Sequence, residues 1–301
     1  MRGVLYLLAM LALASAGCTS EETDSAQSTP AAPAIRLGAY DGEQISDTHL
    51  LRVYSPWDAS QHLSINFPEH CWGSGLPNMG HMSDEPITTP WRYNADSTEA
   101  ILEKAPRPGV TYRSLAEVDS MAVRLEMVFE NKSDSTITDI RAMVCLQPDK
   151  MAGFSFQTYQ AVYIWINNQP KNIERGTSFD GKMPRDFVVW GMNVDGGPDN
   201  RTFNDLGWFH GNRSPGRIVA ERAWPPMIAV RHYNNPRLWI ATIWNPARMV
   251  VANLSSPCLH SDPLPADCPP GETVRAKGLV LFHEGNLDGL LERVRREMEL
   301  K

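Results

Sequence analysis

The stretch AVRLEMVFEN, Ala122–Asn131, sets Val123, Leu125, Met127 and Phe129 against Arg124, Glu126, Val128 and Glu130. A period of two is the signature of a strand with one face buried and one wet. The next residues, Asn131-Lys132-Ser133-Asp134, are turn formers, and an extended pattern resumes over 136–146. Short runs of the same kind recur at 50–54, 159–167, 186–192, 218–222, 227–233, 238–244 and 273–282, separated by turn signals such as Asn234-Asn235-Pro236. Many strands with little helix between them predict a mostly antiparallel sandwich or barrel. One helix is predicted, at the end of the chain. Asn286 is placed to cap it, and Leu287, Leu290, Leu291, Val294 and Met298 recur at helical spacing, an apolar stripe that would pack on the sandwich.

Toward the N-terminus the composition changes. Arg2 precedes an apolar run over residues 4–14, which closes on Ser15-Ala16-Gly17-Cys18. The run is shorter than the roughly 20 residues of a spanning helix, so it reads as an export signal. The segment resembles a bacterial lipoprotein signal. That resemblance implies removal of residues 1–17, lipidation of Cys18 (palmitate among the acyl chains) and attachment to the outer membrane or cell surface; Ser15 departs from the family's usual leucine. Residues 18–34 hold the Cys and a Ser/Thr, Pro, Ala and acidic tether with nothing to bury. A single β-sandwich domain is expected over 35–301.

The 301 residues carry a formal net charge of −7 with no Lys/Arg run, which excludes nucleic acid as a partner. Besides Cys18 there are four cysteines, Cys71, Cys145, Cys258 and Cys268. In an oxidising compartment an even number suggests disulfides, and the turn-rich segment between Cys258 and Cys268 favours that pair, leaving Cys71 with Cys145. The alternative is four buried free thiols. No C-x-x-C pair is present, so spacing gives no metal site, and no cofactor is expected. The Asp/Asn-rich stretch 195–211 is the one place where calcium would fit, without an EF-hand's ligand spacing. P-loop, dinucleotide, H-E-x-x-H and G-x-S-x-G motifs are all absent.

Two segments carry a resemblance to the galactose mutarotase-like superfamily. One is Cys258-Leu259-His260-Ser261-Asp262-Pro263 with Pro270-Gly271-Glu272-Thr273 and the strand after it; the other is the strand from Val123 into Asn131-Lys132-Ser133-Asp134. The resemblance implies an antiparallel β super-sandwich whose concave face binds carbohydrate. His260 stands where that family has a catalytic Glu, and the residues after the Asn-rich turn, 141–146, contain no His, so the family's acid/base pair is missing. The cluster Glu69-His70-Cys71-Trp72 and His81 lie in a Gly/Pro-punctuated stretch read here as a loop, and with His260 and Asp262 they could form a metal or acid/base site, in which His70, His81, His260 and Asp262 are the weak catalytic candidates. Among nine tryptophans, Trp165, Trp190, Trp239 and Trp244 fall in strand patterns and read as core, whereas Trp72, Trp91 and Trp208 are the candidates for stacking on a sugar. The sequence therefore predicts an envelope lipoprotein that binds carbohydrate or assists its processing. The rivals are a non-catalytic structural or protein-interaction lipoprotein and, third, a lyase or epimerase built on these histidines.

Overall fold

A computed structural model describes residues 35–39, 50–80, 89–148, 150–154, 161–173, 187–192, 217–253 and 258–300. In chain order the strands are β1 (Arg36–Ala39), β2 (Leu50–Tyr54), β3 (His62–Ser74), β4 (Leu76–Gly80), β5 (Arg92–Tyr93) and β6 (Glu99–Arg107). They continue as β7 (Val110–Asp119), β8 (Ala122–Asn131), β9 (Thr138–Gln147), β10 (Val162–Ile166), β11 (Gln169–Asn172) and β12 (Phe187–Met192). The last are β13 (Arg217–Arg231), β14 (Leu238–Asn245), β15 (Ala247–Asn253), β16 (Cys258–Pro263) and β17 (Thr273–Glu284), followed by helix α1 (Leu287–Glu297). The expected class is borne out: the described chain is mostly antiparallel β with a C-terminal helix.

Pairing runs along two paths. One is β1-β2-β3-β9-β16-β15-β12, the other β5-β6-β7-β8-β17-β14-β13-β10-β11. Strand β13 belongs to both. Its N-terminal part lies parallel to β12, and Met227–Arg231 pairs antiparallel with β14. The two paths face each other. The Phe67 ring on β3 meets Trp244 on β14 at 5.4 Å, and Ser114 Oγ on β7 donates to the Phe67 carbonyl at 3.1 Å. Each path supplies one apolar face to the intervening core, as a sandwich requires.

Strand β8 has the predicted alternation, with Val123, Leu125, Met127 and Phe129 in that core. Asn131 ends it and organises the turn: its Oδ1 accepts from Ser133 N at 3.0 Å and its Nδ2 donates to the Cys268 carbonyl at 2.8 Å. Asn286 caps α1 by accepting from Gly289 N at 2.8 Å. Leu290, Leu291 and Val294 join a second apolar cluster with Trp165, Trp239, Leu279 and Leu281 on the other side of β14 and β17. Among the described residues no helix is long and apolar enough to cross a membrane.

The structure corrects the sequence reading at three points. Residues 69–75 are no loop: Glu69 to Ser74 belong to the thirteen-residue strand β3. The separate runs 218–222 and 227–233 are one strand, β13, continuing through Pro225 and Pro226. The expected disulfides are absent, and all four described cysteines are free and buried. Cys258 lies beside Cys145 near the end of β9, whereas Cys268 bridges Ile137 just before its start, eight residues and so roughly 25 Å along the strand. Cys71 packs in the inner core and pairs in register with Ala142, while Cys145 faces away from that core. Neither pair meets the separation a disulfide needs.

Packing is tight where Gly278 faces Trp244 across β17 and β14, since a Cβ at Gly278 would lie 2.4 Å from the indole. Trp244 is fully buried and has no free direction in which to move. Gly278→Ala is expected to cost about 1–3 kcal/mol, read as a lower urea midpoint with unchanged slope; an unaltered midpoint would contradict this packing.

Candidate functional site

Strand β16 is buried at all six positions. Leu259 and Ser261 face the inner core: Ser261 Oγ accepts from Trp244 N at 2.8 Å and donates to the Pro226 carbonyl at 2.6 Å. Alternation then turns Cys258, His260 and Asp262 to the other face. Cys145 on β9 lies directly opposite His260, and Asn66 on β3 directly opposite Cys145, so the three form one row across three strands.

The sixth member comes from an irregularity. Between Asn66 and His70, β3 advances four residues while β9 advances two, from Cys145 to Met143. This bulge contains Pro68, which has no N–H to give to the ladder, and it re-aims Glu69. Glu69 Oε2 reaches to 3.7 Å from His260 Nε2.

Within the cluster, His260 Nε2 is 3.2 Å from Cys258 Sγ, and His260 Nδ1 is 3.3 Å from Asp262 Oδ1. Asp262 is fixed in turn, its Oδ1 accepting from Val144 N at 3.0 Å. The Cys145 thiol hydrogen-bonds the Cys258 sulfur, and this bond, opposed by burial and joined by the charge and hydrogen bond of His260, lowers the Cys258 thiol to about 6. Burial and the same Cys258 contact push the Cys145 thiol well up. At His260 burial acts downward, yet the Cys258 and Asp262 charges outweigh it and raise the imidazole well above its usual range. Cys258 and His260 thus each favour the charged form of the other. Burial raises the Glu69 carboxyl to about 8, against a lowering by His260. Three acceptor oxygens of the neighbourhood, Asn66 Oδ1, Glu69 Oε2 and Asp262 Oδ2, are buried without a hydrogen-bond partner among the described residues.

Of the residues singled out in the sequence, His260 and Asp262 do come together. His70 is buried on β3, in register with Met143 and Gly80, and it is its neighbour Glu69 that reaches His260. Trp91 is a correction: it is buried in the core with its ring 6.1 Å from that of Phe67, and so offers no face to a sugar. Trp72 is half-buried, with the Arg248 guanidinium 5.7 Å from its ring centroid. Trp165, Trp239 and Trp244 are core, as expected. His81, Trp208, Cys18 and the stretch 195–211 lie outside the described residues. Sequence reasoning placed Glu69 in the cluster with His260 and Asp262, as the structure does, and missed Cys145 and Cys258 as members of the site. The signal for Cys258 was its i, i+2, i+4 spacing with His260 and Asp262, which places all three on one face of a strand.

A concavity of about 750 Å³ lies apart from this centre, over β6, β7 and β8 against the end of α1. Three of its charges are held in ion pairs, Arg124 with Asp119 and Glu297, and Glu126 with Arg275, of the kind found on an ordinary wet sheet face.

No family model matches the chain, and no curated protein does. Solved structures do resemble it at low identity. The Slr1438 protein from Synechocystis sp. PCC 6803 is 10% identical with a TM-score of 0.39, over 76% of this chain and 81% of that one. The GH36 α-galactosidase AgaA from Geobacillus stearothermophilus is 12% identical with a TM-score of 0.33; the match covers 86% of this chain but only 31% of the galactosidase. A protein from Klebsiella pneumoniae named as a candidate aldose 1-epimerase is 5% identical with a TM-score of 0.31, over 83% of this chain and 57% of that one. At these scores no activity passes from those proteins to this chain.

The Glu69 carboxyl makes stability depend on pH. Its native value, about 8, lies above the ordinary 4.5, so the native state holds the proton more tightly than the unfolded chain does. That contribution is complete below about 4.5 and is lost as pH rises through about 8. In Glu69→Gln this decline is expected to flatten, measured as urea midpoints at the two ends of the window. An equal slope in both proteins would show that Glu69 is not buried as described.

Proposed function

We propose that this is an exported lipoprotein, anchored through Cys18, whose sandwich binds a hydroxyl-rich ligand of the carbohydrate class at the β3–β9–β16 centre. The observation that carries this reading is the pair of buried acceptors, Asn66 Oδ1 and Asp262 Oδ2, on neighbouring strands around His260. A buried acceptor left unpaired costs about 1–3 kcal/mol, and sugar hydroxyls are donors of the right size and number to recover it. The sequence resemblance around Cys258-Leu259-His260 points the same way, as does the half-buried Trp72 ring, which has an apolar face of the kind that stacks on sugar C–H groups. The absence of the superfamily's own acid/base pair favours binding or an accessory role over aldose mutarotation.

The test is a glycan array and polysaccharide pull-down with the mature exported chain. Binding should weaken at least about ten-fold in Asn66→Ala, the loss of one or two good hydrogen bonds, while the thermal transition stays cooperative. Absence of binding to every glycan would overturn the carbohydrate reading in favour of a structural or protein-partner role.

A further inference from the structure

We infer that Cys145, Cys258, His260 and Glu69 form a site for one divalent transition-metal ion of the zinc class, held by two sulfurs, one imidazole nitrogen and one carboxylate oxygen. The first three present ligand atoms that all lie within 4.8 Å of one another. Cys258 Sγ and His260 Nε2 are 3.2 Å apart, and Glu69 Oε2 is 3.7 Å from the same nitrogen. Bond lengths of about 2.0–2.3 Å in a tetrahedral site put pairs of ligand atoms about 3.6 Å apart, and the two pairs at His260 Nε2, 3.2 Å and 3.7 Å, lie within a few tenths of an ångström of that spacing. Glu69 Oε2 is buried with no hydrogen-bond partner and faces the cluster, which is an independent sign of a missing electrophile rather than of a packed core.

Two further features separate a metal site from the alternatives. Cys145 lies opposite His260, so Cys258, two residues back on β16, is its diagonal neighbour. Diagonal Cα atoms lie about 7–8 Å apart, beyond the reach of an unstrained disulfide yet suited to two sulfurs that share a central ion. The imidazole is also oriented as a ligand requires. Its Nδ1 is directed at Asp262 Oδ1, and Asp262 is held by the Val144 amide, which leaves Nε2 for the ion. A carboxylate behind a ligating histidine is the usual arrangement around zinc, and it makes Asp262 a positioning residue. Two thiolates select a thiophilic ion over calcium or magnesium, which take oxygen ligands. Burial of three of the four ligands makes this a closed, structural type of centre, and it does not depend on the carbohydrate reading.

The test uses the mature exported chain. After dialysis against Zn²⁺ and then against metal-free buffer, elemental analysis should find one zinc per chain. Replacement by Co²⁺ should give the intense near-ultraviolet band of thiolate-to-cobalt charge transfer. Zinc should be lost in Cys145→Ser and in Cys258→Ser, whereas Cys268→Ser, whose sulfur lies at the far end of β9, should keep it. Should the serine variants fail to fold, wild-type protein supplies the answer: alkylation mapped by peptide mass should spare Cys145 and Cys258 with zinc bound and modify them after chelation, with Cys268 unaffected by the difference. A folded wild-type chain with no zinc and no cobalt–thiolate band, or equal alkylation with and without metal, would overturn the proposal. One zinc per chain with no glycan binding would leave the metal reading standing while the sugar reading fell, and glycan binding by a chain that takes up no zinc would do the reverse.

Discussion

Burial of β16 on both faces is the constraint from which the rest follows. A strand that presents Leu259 and Ser261 inward must present Cys258, His260 and Asp262 outward, because the side-chain period is two. Ser261 locks that choice. Its hydroxyl spans to the other sheet, taking the Trp244 amide proton and giving its own to the Pro226 carbonyl, so a one-residue slip would strand three polar groups in the core. The outward face is buried as well, and three polar side chains there stay in the fold only if they satisfy one another. They do so through contacts of His260 with the Cys258 sulfur and with Asp262, and of Asp262 with the Val144 amide, an arrangement that favours the charged forms of Cys258 and His260.

The neighbouring strands complete the centre in two different ways. From β9, regular antiparallel pairing sets Cys145 beside His260, a contact that needs nothing but register. From β3, regular pairing supplies Asn66, while Glu69 reaches His260 only because the strand carries two extra residues at that point. A bulge of this kind loses ladder hydrogen bonds and spends stability on aiming one side chain, which is where natural sheets tend to place their chemistry. Both routes to the centre converge on the imidazole, which touches sulfur on one edge and carboxylate on the other.

Much of the framework was legible from residue order. The alternation of β8, the Asn131 turn and the Asn286-capped amphipathic helix are local patterns, and local patterns survive folding. Strand β3 was misread because Pro68, Gly73 and Gly75 punctuate it like a loop, and β13 was split at Pro225 and Pro226; in both places pairing with neighbours overrides the local signal. The cysteines were misread for a related reason. Nearness in sequence joined Cys258 to Cys268, whereas the sheet carries those residues to opposite ends of β9 and gives Cys258 a partner 113 positions earlier, Cys145 (258 − 145). His260 and Asp262 stood out in the sequence because they follow a motif, and Glu69 because it sits beside His70, but no spacing on one strand announces the bulge that brings Glu69, rather than His70, to His260.

The central claim is that the Cys258–His260 contact inside the sheet favours the charged form of each partner, and a thiolate titration of metal-free protein tests it most directly. Followed by ultraviolet absorbance, with Cys71 and Cys268 changed to serine, one thiol is expected to ionise with a midpoint about 6, and that midpoint should climb in His260→Gln. If all thiols ionise at or above the ordinary value, about 8.5, with no response to His260→Gln, then Cys258 is an inert buried thiol and the centre described here does not exist.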